Sequence, residues 1–177
     1  MVKITLFGLP GTGTSTVAKL FAEKHNFQFG SGGNMFRQMA AEHNMDVYEF
    51  NNFCQKDKKY DLELDTRIAN FGKENDNFIF ESRVAWNFIP DSIKIKFICN
   101  DKVRIERICD RDNKENFEET KEKTKNREIS EKKRYFEYYE IEDFSDDKHF
   151  DLIIDSTIKT PEEIIGVIEE YVENRKY

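Results

Sequence analysis

The chain has 177 residues, 38% apolar and 36% charged, with a formal net charge of −7. That length suits one domain with a sizeable core, and the acidic balance excludes a nucleic-acid-binding surface spread over the whole protein. No apolar run reaches the ~18–20 residues of a membrane span, so no membrane partner is expected, and the β-rich opening predicts no leader sequence. Cys54, Cys99 and Cys109 lack C-x-x-C spacing, and His25, His43 and His149 form no cluster. The simplest reading is a reduced, cytoplasmic protein, a monomer, without a structural metal.

In chain order, residues 2–7 read as a strand, followed by a glycine-rich loop at 8–16 and an amphipathic helix under way by Val17. Further strands are predicted at 27–30, 77–81, 93–99 and 150–155 from their β-branched and aromatic content. Helical patterns occupy 33–44, 47–56, 59–74, 102–112, 116–139 and 161–174. Asp46 and Asp101 stand at expected N-cap positions, and Pro161 stands at a first helical position. Strands alternating with helices predict an α/β fold of three layers, with a five-stranded parallel sheet covered on both faces. The segment 101–134 is dense in charge of both signs and reads, on composition alone, as a solvated helical hairpin. The recurring phenylalanines, among them Phe21, Phe78, Phe80 and Phe97, read as core, whereas Met35 and Phe36 are candidates to touch a nucleotide.

Gly8-Leu9-Pro10-Gly11-Thr12-Gly13-Thr14-Ser15-Thr16 supplies the chemistry. A strand, a glycine-rich loop and a helix in succession are the context that makes G-x-x-x-x-G-K-[ST] a phosphate site. Glycines let the backbone N–H groups turn inward, and the helix start adds its positive dipole end. The lysine slot holds Thr14, which removes the cation that usually reaches the terminal phosphates.

Further segments resemble the nucleoside monophosphate kinases, most closely the archaeal-type cytidylate kinases, in collinear order along nearly the whole chain. Ser31-Gly32-Gly33-Asn34-Met35-Phe36-Arg37 resembles S-A-G-[DE]-x-F-R, and the stretch from Asp61 to Arg67 resembles I-D-x-x-I-D-x-R. Phe80-Glu81-Ser82-Arg83 resembles L-E-[GS]-R, and Val103-Arg104-Ile105-Glu106-Arg107-Ile108 resembles V-R-x-x-R-I. The stretch from Thr124 to Tyr135 resembles T-x-x-R-E-x-S-E-x-x-R-Y, and 150–156 resembles Y-D-L-V-I-D-[TS].

The resemblance implies a P-loop kinase domain over 1–177 that moves the γ-phosphoryl of ATP to CMP or dCMP with Mg²⁺. It implies a monophosphate-binding helical lobe at 33–74 and a lid at 112–140. Loop residues 8–16, with Arg107 and Arg111, would hold ATP, and the Ser15 hydroxyl would ligate Mg²⁺. Ser31, Arg37, Arg67 and Arg83 would line the monophosphate pocket. Arg83, Arg127 and Arg134 would be catalytic; Arg127 and Arg134, seven residues apart, would share one side of a lid helix. Guanidiniums suit the task because their planar fork pairs phosphate oxygens two at a time and keeps its charge when desolvated.

Three departures stand out: Thr14 for lysine, Asn34 where the family often has an acid, and Trp86 where it often has glycine. Glu81 is read equally as a holder of metal-bound water or as a cap. The acidic stretch 137–147 lacks the spacing of a calcium loop and reads as a solvated connection. Thr14 keeps open an alternative, a nucleotide-binding protein of this fold that transfers weakly or not at all. A kinase for another small phosphate acceptor is the third reading.

Overall fold

The computed structural model describes residues 1–54, 57–113 and 116–175. Five strands, β1 (Val2–Gly8), β2 (Gln28–Ser31), β3 (Asn77–Glu81), β4 (Ile93–Ile98) and β5 (Leu152–Asp155), form one sheet. Their order is β2-β3-β1-β4-β5 and every pairing is parallel. All five predicted strands are present. Because every strand runs the same way, the ends of β1, β2 and β3 share one edge, where open parallel sheets bind ligands.

Alternation along β1 sends Ile4 and Leu6 to one face, where they pack with Ile79, Ile95 and Phe97 beneath α1 (Thr14–His25) and α8 (Pro161–Asn174). Phe7 faces the other way, onto Val84, Trp86 and Phe144. Phe78 and Phe80 also take that face, under α4 (Lys59–Glu74) and the short α5 (Ala85–Phe88). Phe21, Phe78, Phe80 and Phe97 are all buried, as expected of core.

The remaining helices are α2 (Gly32–Glu42), α3 (Val47–Cys54), α6 (Asp101–Asp112) and α7 (Phe117–Tyr139). Asp46 and Glu49 exchange bonds across the start of α3 as a capping box does. The last two residues of the helix expected at 47–56 lie outside the described residues. The cap of α6 is Asn100, whose carboxamide accepts from Lys102 N and Val103 N, and not Asp101. Asp101 is instead the first residue of the helix, and its carboxylate reaches forward to Arg104. Helix α5 went unpredicted because four residues are too few to carry a periodicity.

Met35 and Phe36 are half-buried and pack against the core. Met35 packs on Ile68, Phe78 and Phe80, and Phe36 lies 5.1 Å from the ring of Phe50. Both sit on the inner side of α2 and hold α2, α3 and α4 together.

Candidate functional site

The loop after β1 is held from outside by its carbonyls. Gly8 O accepts from Arg83, Leu9 O from Thr12 Oγ1 at 2.8 Å, and Pro10 O from Arg104 Nη1 at 2.9 Å. Gly11 O accepts a long bond of 3.5 Å from Arg107, and Thr12 O accepts from Ser156 Oγ at 2.8 Å. The Thr12 N–H closes a turn onto Leu9 O at 3.2 Å, and among the described residues the N–H groups of Gly11 and Gly13 have no protein acceptor and are left for a ligand. The first N–H groups of α1 have no intrahelical acceptor and join them, making an anion cradle. Gly11 and Gly13 have φ of +84° and +89°, which other residues adopt only with strain.

Three adjacent strand ends meet beside this cradle. Glu81, closing β3, accepts from Thr14 Oγ1 at 3.2 Å and from Ser31 Oγ at 2.6 Å. Ser31 closes β2 and also caps α2, accepting from Asn34 N at 3.2 Å. Among the described residues these two hydroxyls are the donors to its carboxylate, which joins the phosphate loop to the start of α2. Thr14, in the lysine slot, is buried and spends its hydroxyl on that carboxylate.

The arginines divide into those brought to the loop and those that are not. Arg83 reaches Gly8 O and, through Nε, Glu131 Oε2 at 3.1 Å. The other oxygen of Glu131 accepts from Arg127 Nε at 2.9 Å. Burial alone would raise the pKa of Glu131; the guanidiniums of Arg83 and Arg127 outweigh it and hold the carboxyl below its ordinary range. Arg127, Glu131 and Arg134 fall on one stripe of α7, at i, i+4 and i+7. Trp86 does not front an open pocket: it is buried, stacked 4.1 Å from His149, and its indole N–H donates to the carbonyl of Arg83.

Arg37 lies exposed over Gly33 at the start of α2 and bonds Asn34 Oδ1. Arg67 is elsewhere: it pairs with Glu63 at 2.7 Å and with Glu42, the last residue of α2, at 2.6 Å. Ser31 and Glu42 stand at opposite ends of that helix, ~16 Å apart at 1.5 Å per residue. Arg107 donates to the carbonyls of Ser156 and Thr157 at 2.9 and 3.2 Å, tying β5 to the loop. Arg111, one turn on, is exposed and pairs with Asp112.

Sequence reading passed over two residues. Arg104 is 5% exposed and donates to Pro10 O, to Asp101 and to Glu128 Oε1 of α7 at 2.9 Å. Glu131 is 4% exposed. Their signal was present, since an arginine three before Arg107 and acids within the Arg127–Arg134 stripe share faces with residues already chosen. In the connection after α7, Asp143 and Asp146 close local turns onto Ser145 and Lys148, and Asp147 pairs with Lys96.

Arg134 Nη1 lies 3.5 Å from Asp61 of α4. Next to that pair, burial and then the charge of Asp61 push Asp65 up to about 7, opposed by Arg134. Its native pKa exceeds the ordinary 3.8, so this group's stabilisation is complete below about pH 4 and is lost as pH rises through 7. Urea unfolding should show that loss between pH 5 and pH 8, and Asp65→Asn should flatten it. An unchanged slope in the variant would refute the assignment.

A parallel α/β sheet with a phosphate loop after its first strand, ringed by guanidiniums, defines a P-loop protein of the phosphotransferase class. A family profile described as an AAA domain matches residues 4–135. The cytidylate kinase of Methanosphaera stadtmanae is 38% identical, the match covering 98% of this chain and 99% of that protein. That of Methanocaldococcus jannaschii is 39% identical over 98% of both. The chain belongs to the cytidylate kinase family. Among solved structures, an uncharacterized protein from Eubacterium ventriosum matches with a TM-score of 0.72 at 17% identity, covering 98% of this chain and 99% of that one. Shikimate kinase from Aquifex aeolicus matches at 0.60 and 17% identity, covering 99% and 98%. These two likenesses concern the fold.

Proposed function

We infer that this chain transfers the γ-phosphoryl group of ATP to CMP or dCMP, giving ADP and the nucleoside diphosphate. The observation that carries the reading is the meeting of the phosphate cradle, the capped start of α2 and the Arg83–Glu131–Arg127 array at one edge of the sheet, in a chain collinear with cytidylate kinases.

In this reading ATP's phosphates lie on the N–H groups of the loop and of α1. The acceptor phosphate lies at the start of α2, near Ser31 and Arg37. An acceptor oxygen attacks the γ-phosphorus, and the bond to the β–γ bridging oxygen breaks with its electron pair leaving on ADP. A phosphate monoester is largely dianionic at neutral pH, so no strong base is required. Positioning and charge neutralisation supply most of the rate. Arg83 and Arg127 are already gathered by Glu131, and Arg134 projects from the same stripe. They supply the charge that Thr14 does not.

The donors fit Mg²⁺. Ser15 is exposed at the first turn of α1, and Glu81, bonded to Thr14 one residue before it, offers a carboxylate. The ion would be held by Ser15 with ATP's own oxygens, Glu81 orienting its water, and would neutralise charge on the β- and γ-phosphates. A cytoplasmic, monomeric protein is part of the same reading. The three free cysteines support the reduced setting, and among the described residues no helix is long and apolar enough to cross a membrane.

A coupled assay with ATP and Mg²⁺ against CMP, dCMP, UMP, AMP and GMP tests the reading. CMP and dCMP should turn over much faster than AMP or GMP. Equal rates would refute the acceptor, and zero rates throughout would favour a binder without transfer. If the arginines replace the loop lysine, Thr14→Lys should soften the loss caused by Arg134→Ala; strict additivity of the two in kcat would refute that compensation.

A further inference from the structure

Between α4 and α7 lie two largely buried carboxyls, beside Arg134, that the phosphoryl-transfer reading leaves unused. Asp61 and Asp65 stand one turn apart on α4, and Asp61 is paired with Arg134 of α7. Asp61 Oδ2, Asp65 Oδ2 and Arg134 Nε are all buried and, among the described residues, without a hydrogen-bond partner. Cys54 of α3 and Tyr135 and Tyr138 of α7 border this cluster. Lys58, at the start of α4, holds its ammonium 4.9 Å from the centre of the Tyr138 ring and, among the described residues, bonds neither carboxyl, so Arg134 is the cation paired with them. Two ionised carboxylates against one guanidinium would leave a net negative charge out of water, which is costly. One proton on the pair balances it.

We propose that Asp61 and Asp65 are positioning residues for Arg134: the carboxylate pair on α4 docks the guanidinium, and with it the lid helix α7, so that lobe and lid close on the phosphate loop as one body. The consequence for catalysis rests on the role given to Arg134 above; the docking does not. Two features argue for docking and against an incidental surface pair. The side chains of Asp61 and Arg134 are only 16% and 18% exposed. Helix α7 is fastened at Glu131 and Glu128 by Arg83 and Arg104, which both hold the phosphate loop. The lobe is thereby connected to the donor side through α7. Docking is tightest when one of the two carboxyls carries a proton and weakens as that proton leaves, because the cluster then becomes net negative.

Two readouts on the full chain test this. The first is amide hydrogen exchange across 117–139 without nucleotide, at pH 6.5 and pH 8.5, corrected for intrinsic rates. The unmutated protein should exchange more slowly at pH 6.5. Asp61→Asn should exchange at least tenfold faster at pH 6.5, and Asp65→Asn should lose the pH dependence. The second is the pH profile of kcat, with KM for ATP measured alongside. Asp61→Asn should lower kcat at least tenfold while moving KM for ATP less than twofold, Asp61→Glu should recover part of the loss, and Asp65→Asn should abolish the limb near pH 7. Exchange in Asp61→Asn equal to the unmutated protein, or protection indifferent to pH, would overturn the docking. A chain that phosphorylates no monophosphate would refute the functional reading alone, since exchange is read without turnover. A kcat loss in Asp61→Asn matched by the unfolded fraction would reduce Asp61 to a structural residue and overturn its positioning role.

Discussion

Arg83→Ala should lower kcat by about 10²–10³-fold, or ~2.7–4 kcal/mol, the usual cost of removing one donor to a developing oxyanion. The same substitution should destabilise the fold by an amount approaching ~3 kcal/mol, the lower end for breaking a buried ion pair. The lower end applies because Arg127 still pairs with Glu131 after Arg83 is gone. The side chain of Glu131 is 5% exposed, so its charge has no other route to solvation. Adding Glu131→Gln to Arg83→Ala should restore most of the stability, measured by urea unfolding, while kcat stays low. That split separates the two roles of the guanidinium. Arg83→Lys should fall between, since an ammonium keeps the charge but does not offer the planar fork that spans Gly8 O and Glu131. Full activity in Arg83→Ala would refute its place in the site.

Gly11→Ala should be far more damaging than Gly13→Ala, although both glycines have positive φ. At either position the backbone conformation costs a side chain on the order of 1–2 kcal/mol. At Gly11 a Cβ would also lie 2.3 Å from the carbonyl oxygen of Arg104, whereas at Gly13 it meets nothing within 4 Å. The Arg104 carbonyl belongs to the first turn of α6 and is not free to step aside. Either the loop or the helix must shift, and the bond from Arg104 to Pro10 O goes with it. Thermal unfolding without nucleotide should therefore rank Gly11→Ala well below Gly13→Ala, and ATP affinity should be lost in Gly11→Ala. Equal melting temperatures would refute the close approach.

Sequence by itself determined what local periodicity and local chemistry encode. Short runs rich in β-branched and aromatic residues marked all five strands, and caps and spacing marked the long helices. The glycine pattern at 8–16 required an inward-turned backbone, whatever lay around it. The arginines could be named from the resemblance to the kinase motifs, and a guanidinium suits the task because its planar fork keeps its charge. Tertiary structure alone decided where each arginine goes. Arg67 and Arg83 were both expected in the monophosphate pocket, yet one pairs with Glu42 and Glu63 and the other lies on the loop. Arg104 looked like one charge in a solvated hairpin until α6 placed it against Pro10, 94 residues away in sequence. Glu131 acquired its importance from Arg83, 48 residues earlier. Such pairings depend on which strand ends become neighbours, and the order β2-β3-β1-β4-β5 is written in no single segment. The physical reason is range: strand and helix signals arise within a few residues, whereas a buried charge finds its partner only after the sheet has assembled.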